Sequence, residues 1–290
     1  MAMTTAADPK TVVREAIKNL TTLATLPEIT AQIITAVEDP RSSAGRLHKI
    51  VAHDPALVTR ILKIVNSAFY GLPGQIGSVE RAIVLLGLNA IKNVAVAASL
   101  GQLFRGANLC EGKSVRDLWT HCIAVGVASR ELAKLMRLPF PDEAFLAGMI
   151  HDTGILVELQ TWPERTRKVC ADVLQNGGDF CEAERQALGV DHQMMGEALA
   201  EKWKFPMSCQ HVAGHHHNPA GLGDDARVIV SVVHTADVLC CRGGHGFCLT
   251  ALHDELDLAA LAEVGITQIM IDTITANLPK LVSDAVVLLG

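Results

Sequence analysis

Apolar residues recur at helical spacing along most of the chain, and capping or turn residues separate the apolar segments. Residues 11–38 carry this pattern with one interruption, after which Pro27 is placed to begin a second helix. Asp54 is a candidate N-cap and Pro55 a candidate first residue of the next helix, which the spacing continues to Gly71. Strand-like alternation is absent from the first hundred residues, so they are predicted to form a helical bundle.

The helical pattern continues towards the middle of the chain. Ser78 is predicted to begin a helix that ends at Gly87, and Asn89 is predicted to cap the next helix, which runs towards Phe104. Two short helices joined at Gly87 could form a helix-turn-helix. Between residues 87 and 101, however, Lys92 is the only cation, so no basic recognition face is presented and nucleic-acid binding is not expected.

The remainder of the chain is predicted to be helical as well. Ser114, with Asp117 three residues later, approximates a capping box at the start of a long helix. Asp191 is a candidate N-cap for a helix that His192 opens, and a final helix is predicted from about residue 267 to 278. The predicted fold class is therefore all-α, with an N-terminal helical bundle followed by a second helical core.

Composition and charge narrow the functional classes. The chain has 290 residues, of which 49% are hydrophobic and 19% charged, as in a globular protein. Its net charge of −6 gives no electrostatic basis for general nucleic-acid binding. No apolar run reaches the roughly 18–20 residues of a membrane span, and the N-terminus lacks a signal-peptide pattern. Eight scattered cysteines without a CxxC pair are typical of reduced thiols, so a cytoplasmic location is expected.

The candidate chemistry centres on the adjacent pair His151 and Asp152, which lies between two apolar runs. Gly154 tolerates unusual backbone angles, so a break there could direct both side chains to one metal ion. Imidazole nitrogen with carboxylate oxygen suits iron, manganese, zinc or nickel. Eight of the twelve histidines lie between residues 121 and 234, and Asp237 stands in an apolar helix, where burial without a partner is costly.

Other interpretations of single residues remain open. A lone histidine on an apolar helix face, such as His121, is more typical of a satisfied core residue. The three consecutive histidines 215–217 are typical of an exposed helix end. Taken together, the histidines and aspartates favour one shared polar cluster, and whether that cluster holds a metal ion is a separate question.

Four sequence blocks stand out in the first ninety residues: Leu26-Pro27, Asp54-Pro55, Asn66–Gly71 (Asn-Ser-Ala-Phe-Tyr-Gly) and Ser78–Gly87. In this order they resemble the HDOD family, a group of bacterial signalling and regulatory modules related to HD-domain phosphohydrolases, and the last two blocks are the most specific. The resemblance implies an all-α fold and three regions: an N-terminal extension with a helix (1–19), an HDOD helical subdomain (20–105) and an HD-like helical subdomain (106–290). The polar segment 106–113 is the expected boundary.

The resemblance also implies a ligand set, since HD-domain phosphohydrolases share a helix histidine, a His-Asp doublet, later histidines and a distant aspartate. By that motif, one or two divalent ions (iron, manganese, zinc or nickel) are expected, without an organic cofactor. The candidate catalytic residues are His151, Asp152 and His192. The expected ligands of the first ion are His121, His151, Asp152 and Asp237; His192, His216 and His217 would hold a second ion or a phosphate group, and Asp117 is an additional candidate ligand.

Two departures from the active pattern argue against catalysis. Active cyclic-dinucleotide phosphodiesterases of the HD-GYP type carry a lysine soon after the doublet, where this chain has Ile155, and their Gly-Tyr-Pro segment is replaced by residues 219–223. Loss of a cation near the scissile phosphate removes electrostatic stabilisation. The favoured hypothesis is a regulatory module that acts through contacts with separate signalling proteins. The alternative is an active phosphohydrolase whose ligand is a nucleotide, a cyclic dinucleotide or another phosphoester.

Overall fold

The computed structural model describes residues 8–289, except for residues 22, 24, 25, 27, 39, 40, 42, 68, 69 and 107. The fold is all-α, as the hydrophobic pattern predicts. The predicted helix start at Pro27 lies outside the described residues. The N-terminal helices are α1 (Pro9–Asn19), α2 (Glu28–Glu38), α3 (Ala44–Ala52), α4 (Pro55–Val65), α5 (Val79–Leu86) and α6 (Leu88–Leu100).

A small hairpin and a second set of helices complete the described chain. Strands β1 (Asn108–Cys110) and β2 (Lys113–Ser114) pair antiparallel within the segment predicted to be a polar connector. A short 3-10 helix covers Pro219–Gly221. The helices are α7 (Val115–Leu135), α8 (Pro141–Ile150), α9 (Thr153–Thr161), α10 (Pro163–Asn176), α11 (Phe180–Leu188), α12 (His192–Lys202), α13 (Met207–His215), α14 (Asp224–Arg242), α15 (Leu258–Glu263) and α16 (Gln268–Leu289).

Four predicted helix starts are confirmed by the side chains that cap them. The Asp54 side chain accepts a hydrogen bond from the Leu57 backbone N–H, and the Ser78 side chain caps α5. Ser114 and Asp117 form the capping box at the start of α7, and Asp191 caps α12. Each cap satisfies a backbone donor that has no partner inside its helix.

Two predicted helix limits in the N-terminal region are wrong. Helix α4 ends at Val65, not near Gly71, because the Asn66 side chain donates to the Leu62 carbonyl and exchanges two hydrogen bonds with the Ile76 backbone. Helix α6 begins directly after Gly87, and Asn89 lies inside its first turn rather than capping it. The positive φ of Gly87, 88°, turns the chain there without a side-chain cap.

One apolar core passes through both predicted subdomains. A continuous cluster of buried side chains extends from Ala16 in α1 to Ala285 in α16. Helix α7 packs against α8, α14 and α16, and the N-terminal helix α6 also packs against α8. The boundary predicted near residue 106 therefore lies within one packed structure, and its role as a domain limit stays a prediction. No helix of the described residues combines the length and apolar character that crossing a membrane requires.

The backbone changes direction at the His-Asp doublet. Helix α8 ends at Ile150, His151 and Asp152 form the junction, and α9 begins at Thr153. Gly154 serves a different purpose from the predicted one, since it lies within α9 and is not among the residues with positive φ. A Cβ there would overlap the carbonyl oxygen of His192 and lie 2.7 Å from its carbonyl carbon. Glycine is therefore needed because α9 and α12 approach so closely.

Candidate metal centre

The fold brings the predicted histidines and aspartates to one buried place. They come from the middle of α7, the α8–α9 junction, the first residue of α12, the end of α13 and the middle of α14. His217 is at the edge of the cluster, with 9% of its side chain exposed. The other six side chains, fully buried, are those of His121, His151, Asp152, His192, His216 and Asp237.

Asp152 lies between two groups of possible ligands. Its Oδ2 is 3.3 Å from His151 Nε2 and 3.7 Å from His121 Nε2. Its Oδ1 is 3.4 Å from Nε2 of both His192 and His216. Each oxygen of this carboxylate therefore faces a different set of imidazole nitrogens, as a carboxylate that bridges two cations would.

The first group consists of His121, His151 and Asp237. Asp237 Oδ1 is 2.9 Å from His121 Nε2 and 3.8 Å from His151 Nε2. One ligand atom from each of the three residues lies within 4.8 Å of the others. Asp237 thus completes the first group, in agreement with the expectation that an aspartate buried in an apolar helix has a partner.

The second group consists of three histidines and Asp152 Oδ1. His192 Nε2 is 3.3 Å from His216 Nε2 and 3.1 Å from His217 Nε2. Donor atoms about 2.0–2.1 Å from one metal ion are roughly 2.8–3.4 Å apart at octahedral or tetrahedral angles. The separations in this group match that range, so the four donors surround a position that a single cation fits.

All five histidines present the same ring nitrogen to the centre. In each of them Nδ1 has an acceptor outside the cluster, which leaves Nε2 facing inward as the lone-pair donor that a metal requires. The Nδ1 acceptors are the carbonyl oxygens of His245 for His121 (3.2 Å), Gly148 for His151 (2.8 Å) and Val212 for His216 (2.9 Å), and the carboxylates of Glu184 for His192 (2.7 Å) and Asp254 for His217 (2.9 Å).

Both aspartates of the cluster are ionised although they are fully buried. Burial opposes ionisation, yet His151 and His216 hold the pKa of Asp152 well below its usual range, and His121 does the same for Asp237. Burial would also lower the pKa of His121, but Asp237 outweighs it and raises that pKa to about 9. A cation at the first group would therefore displace a proton from His121, so acid should weaken its binding.

Several inward-facing atoms lack a hydrogen-bond partner among the described residues. They are His151 Nε2, Asp152 Oδ1 and Asp237 Oδ2. Buried charged oxygens without partners are costly, and coordination to a cation would satisfy them. The donor set of imidazole nitrogens and carboxylate oxygens fits iron, manganese, zinc or nickel, the ions expected from the sequence.

Asp117 does not belong to the centre. Its Oδ2 accepts hydrogen bonds from the Ser114 backbone N–H at 2.7 Å and the Ser114 hydroxyl at 2.6 Å. It belongs to none of the ligand groups found among the described residues. The Asp117 carboxylate, also a candidate metal ligand, is therefore used in the capping box predicted for Ser114 and Asp117.

Two acidic residues that position the histidines were missed in the sequence. Glu184 on α11 is fully buried and accepts from both the ring and the backbone N–H of His192. Asp254 accepts from His217, although it lies in the irregular segment before α15. Neither residue has a sequence signal, because a glutamate in an amphipathic helix and an aspartate in a loop are both common on exposed surfaces.

Glu158 on α9 is a second buried carboxyl group near Glu184. Burial, followed by the charge of Glu184, raises the pKa of Glu158 well above its usual range. Burial also raises the pKa of Glu184. Glu184 itself accepts from His192 Nδ1 and thus holds the His192 ring with its Nε2 directed at the second group.

We expect Glu184→Leu to weaken metal binding at the second group by about 10–100-fold, because the His192 ring loses the acceptor that orients it. The matched variant Glu184→Gln should lose less metal affinity, since its amide oxygen can still accept a hydrogen bond from His192 Nδ1. Metal titration by calorimetry would measure both affinities. Equal affinities for the two variants would show that Glu184 does not act by orienting His192.

Comparison with protein families shows which family the chain belongs to. The family model of the HDOD domain matches residues 23–219, more than half of the chain. The chain belongs to the HDOD family. The family resemblance seen in the sequence blocks before residue 88 is thereby confirmed, and the match continues through the histidine cluster up to Pro219.

Solved structures share the fold of this HDOD protein. An HDOD domain protein of unknown function from Geobacter sulfurreducens is 22% identical, with a TM-score of 0.73; 94% of this chain and 98% of that chain are covered. A candidate signal transduction protein from Marinobacter aquaeolei VT8 is 23% identical, with a TM-score of 0.77 and coverage of 97% and 65%. A candidate metal-dependent phosphohydrolase from Shewanella amazonensis SB2B is 20% identical, with a TM-score of 0.63 and coverage of 93% and 97%.

A curated relative is considerably longer than this chain. An uncharacterized protein of Treponema pallidum (strain Nichols) is 23% identical over 214 residues, which are 73% of this chain but 41% of the relative. The chain likewise spans 65% of the Marinobacter protein. The HDOD fold is therefore found in proteins that contain further sequence.

Proposed function

We propose that this HDOD protein is a regulatory signalling module that binds divalent cations at the two ligand groups and acts through contacts with partner proteins. One observation carries the metal-binding part. The five histidines turn Nε2 inward around Asp152, and each holds Nδ1 on an outer acceptor. The name of the Marinobacter structure, a candidate signal transduction protein, supports the regulatory part.

The burial of the centre supports regulation over catalysis. The six inner side chains are fully buried, so a phosphoester has no direct path to the first group. A bound cation would join α7, the α8–α9 junction, α12, α13 and α14, and would stabilise their packing. Such a cation would act as a structural element whose presence a partner protein senses through the surface of these helices.

One cavity favours hydrolysis as a second candidate function. A space of about 450 Å³ reaches the second group at His217 and is lined by Arg227 and His253. Three carboxylates, Asp254, Glu255 and Asp257, also line it, and the Arg227 guanidinium is bound to Glu263 at 2.7 Å. The cavity thus carries three negative carboxylates and one arginine whose charge is already paired with Glu263. Such a negative lining repels a phosphate group, so regulation remains the first candidate.

If the centre is catalytic, the roles of its residues follow from position. The two ligand groups would hold cations that supply Lewis acidity at a phosphoester. His217, which lines the cavity, would be the ligand nearest the substrate, with its Nδ1 held by Asp254. Burial and the neighbouring His216 lower the pKa of His217 to about 4, so its ring is neutral at physiological pH and its Nε2 lone pair is available to a cation.

Elemental analysis of protein purified without chelator or a histidine tag tests the proposal. We expect one to two equivalents of iron, manganese, zinc or nickel in the wild-type protein and a large loss in the His151→Ala/Asp152→Ala variant. The metal-loaded protein would then be assayed on phosphoesters, cyclic dinucleotides first. Metal without turnover supports the regulatory module, turnover that the double variant loses establishes the hydrolase, and absence of metal after reconstitution contradicts both.

A further inference from the structure

The segment after α14 is held tightly against α7 beside the histidine cluster. The Phe247 backbone N–H donates to the Asp117 carbonyl at 3.0 Å. Gly246 has a φ of 84°, and a Cβ there would lie 2.6 Å from the His121 backbone nitrogen, so only glycine fits. The carbonyl of His245 accepts from His121 Nδ1. These contacts fix the position of the residue that follows, Cys248.

Two cysteines meet at this place. Cys241 on α14 and Cys248 are both buried, with 2% and 7% exposure. Their Sγ atoms and a ring nitrogen of His121 all lie within 4.8 Å of one another. The Cys241 thiol also donates to Asp237 Oδ1 at 3.5 Å. Two sulfurs and one nitrogen are thus gathered by α7, α14 and the loop that follows α14.

We propose that Cys241, Cys248 and His121 form a binding site for a thiophilic divalent cation, zinc above all, beside the His/Asp centre. In tetrahedral zinc sites, Zn–S bonds of about 2.3 Å and Zn–N bonds of about 2.0–2.1 Å separate neighbouring donors by roughly 3.5–3.8 Å. Donors that all lie within 4.8 Å of each other are compatible with that arrangement after small side-chain rotations.

Thiolate ligands give this site a metal preference that the histidine groups lack. Cation binding releases the protons of both thiols. The positive Lys113 side chain of β2 contacts the same loop, where it donates to the Gly246 carbonyl at 3.0 Å. Soft sulfur ligands select zinc over manganese, whereas imidazole and carboxylate groups bind both. Zinc should therefore be drawn to the cysteines, and manganese to the His/Asp groups.

The sulfur site competes with the first group and leaves the second untouched. His121 is common to the two ligand sets, so a cation held with the cysteines takes a ligand away from the first group. His192, His216 and His217 share no atom with the cysteine site. The inference does not require the proposed function, because it concerns ligand atoms rather than activity.

X-ray absorption at the zinc edge, on the reduced 290-residue chain with less than one equivalent of zinc, tests the inference. We expect a sulfur shell at about 2.3 Å in the wild-type protein. That shell should disappear in Cys241→Ala/Cys248→Ala and remain in the matched variant Cys170→Ala/Cys209→Ala, whose cysteines are equally buried but belong to no ligand group. The ratio of zinc to manganese affinity should fall by at least about 100-fold in the first variant only.

Two further results separate this site from the His/Asp centre. The sulfur shell should persist in His192→Ala/His216→Ala, even if that variant loses the second group. The intensity of the sulfur shell should fall in His121→Ala. Only nitrogen and oxygen neighbours in the wild-type spectrum would overturn the inference, and this result needs no variant to fold. A sulfur shell that survives in Cys241→Ala/Cys248→Ala would overturn it as well.

Discussion

Replacing Asp152 by asparagine is expected to remove cations from both ligand groups at once. Each oxygen of the Asp152 carboxylate faces its own pair of histidine Nε2 atoms, at 3.3–3.7 Å on one side and 3.4 Å on the other. Asparagine keeps the size of the side chain but loses the negative charge and presents an N–H group to one side. Affinity at both groups should fall by more than the roughly 10–100-fold that loss of an outer acceptor costs.

Single-histidine variants provide the comparison that makes this prediction specific. His151→Ala should weaken the first group and spare the second, whereas His192→Ala should do the reverse. Metal stoichiometry by elemental analysis, with affinities by calorimetry, separates the three patterns. Asp172→Asn, at an exposed position of α10, is the control and should change neither group. Retention of either cation at wild-type affinity in Asp152→Asn would contradict a bridging role.

Stability without metal has to be followed in the same variant. The Asp152 carboxylate lies among His151, His192 and His216, so removing one partner from this buried charge network can cost about 3–5 kcal/mol. Circular dichroism and chemical denaturation of the metal-free protein would show whether Asp152→Asn is folded. Metal loss in a folded variant identifies a ligand, whereas metal loss in an unfolded one would only report lost packing.

The sequence predicts some helix limits correctly and others not. Asp54, Ser78, Ser114 and Asp191 were predictable caps because a cap depends on residues within one turn. The end of α4 was not, since Asn66 ends it by binding the backbone of Ile76, ten residues away. A local pattern therefore predicts caps that depend on neighbouring residues better than it predicts helix ends that depend on distant contacts.

The same distinction applies to the candidate site. The sequence motif indicated His151, Asp152 and Asp237, whose residue types are unusual for apolar helices. It could not indicate that Glu184 orients His192, because that contact depends on how α11 packs beside the start of α12. Nor could it indicate that Cys248 lies beside His121, because that contact depends on how the loop after α14 returns to α7. Asp117 shows the opposite error: the residue type suits a metal, but the nearby Ser114 takes the carboxylate as a cap.

Replacing Gly154 by alanine is expected to destabilise the protein by at least about 4 kcal/mol, a large effect for one methyl group. A Cβ there would overlap the His192 carbonyl oxygen and lie 2.8 Å from the Gly196 backbone nitrogen. Distances under 3.0 Å are essentially never seen for real Cβ atoms, and both neighbours are backbone atoms that no side-chain rotation can move. Helices α9 and α12 would have to separate.

That separation should also affect the second ligand group, because His192 is the first residue of α12. Any variant molecules that remain folded should bind metal more weakly at His192, His216 and His217. Chemical denaturation measures the free energy of unfolding, and metal titration measures the second effect. Gly221→Ala is the matched control, since a Cβ at Gly221 meets nothing within 4 Å and should change stability by less than about 0.5 kcal/mol. Equal stabilities for the two variants would show that the α9–α12 contact is not as close as described, and that His192 is not held in place by it.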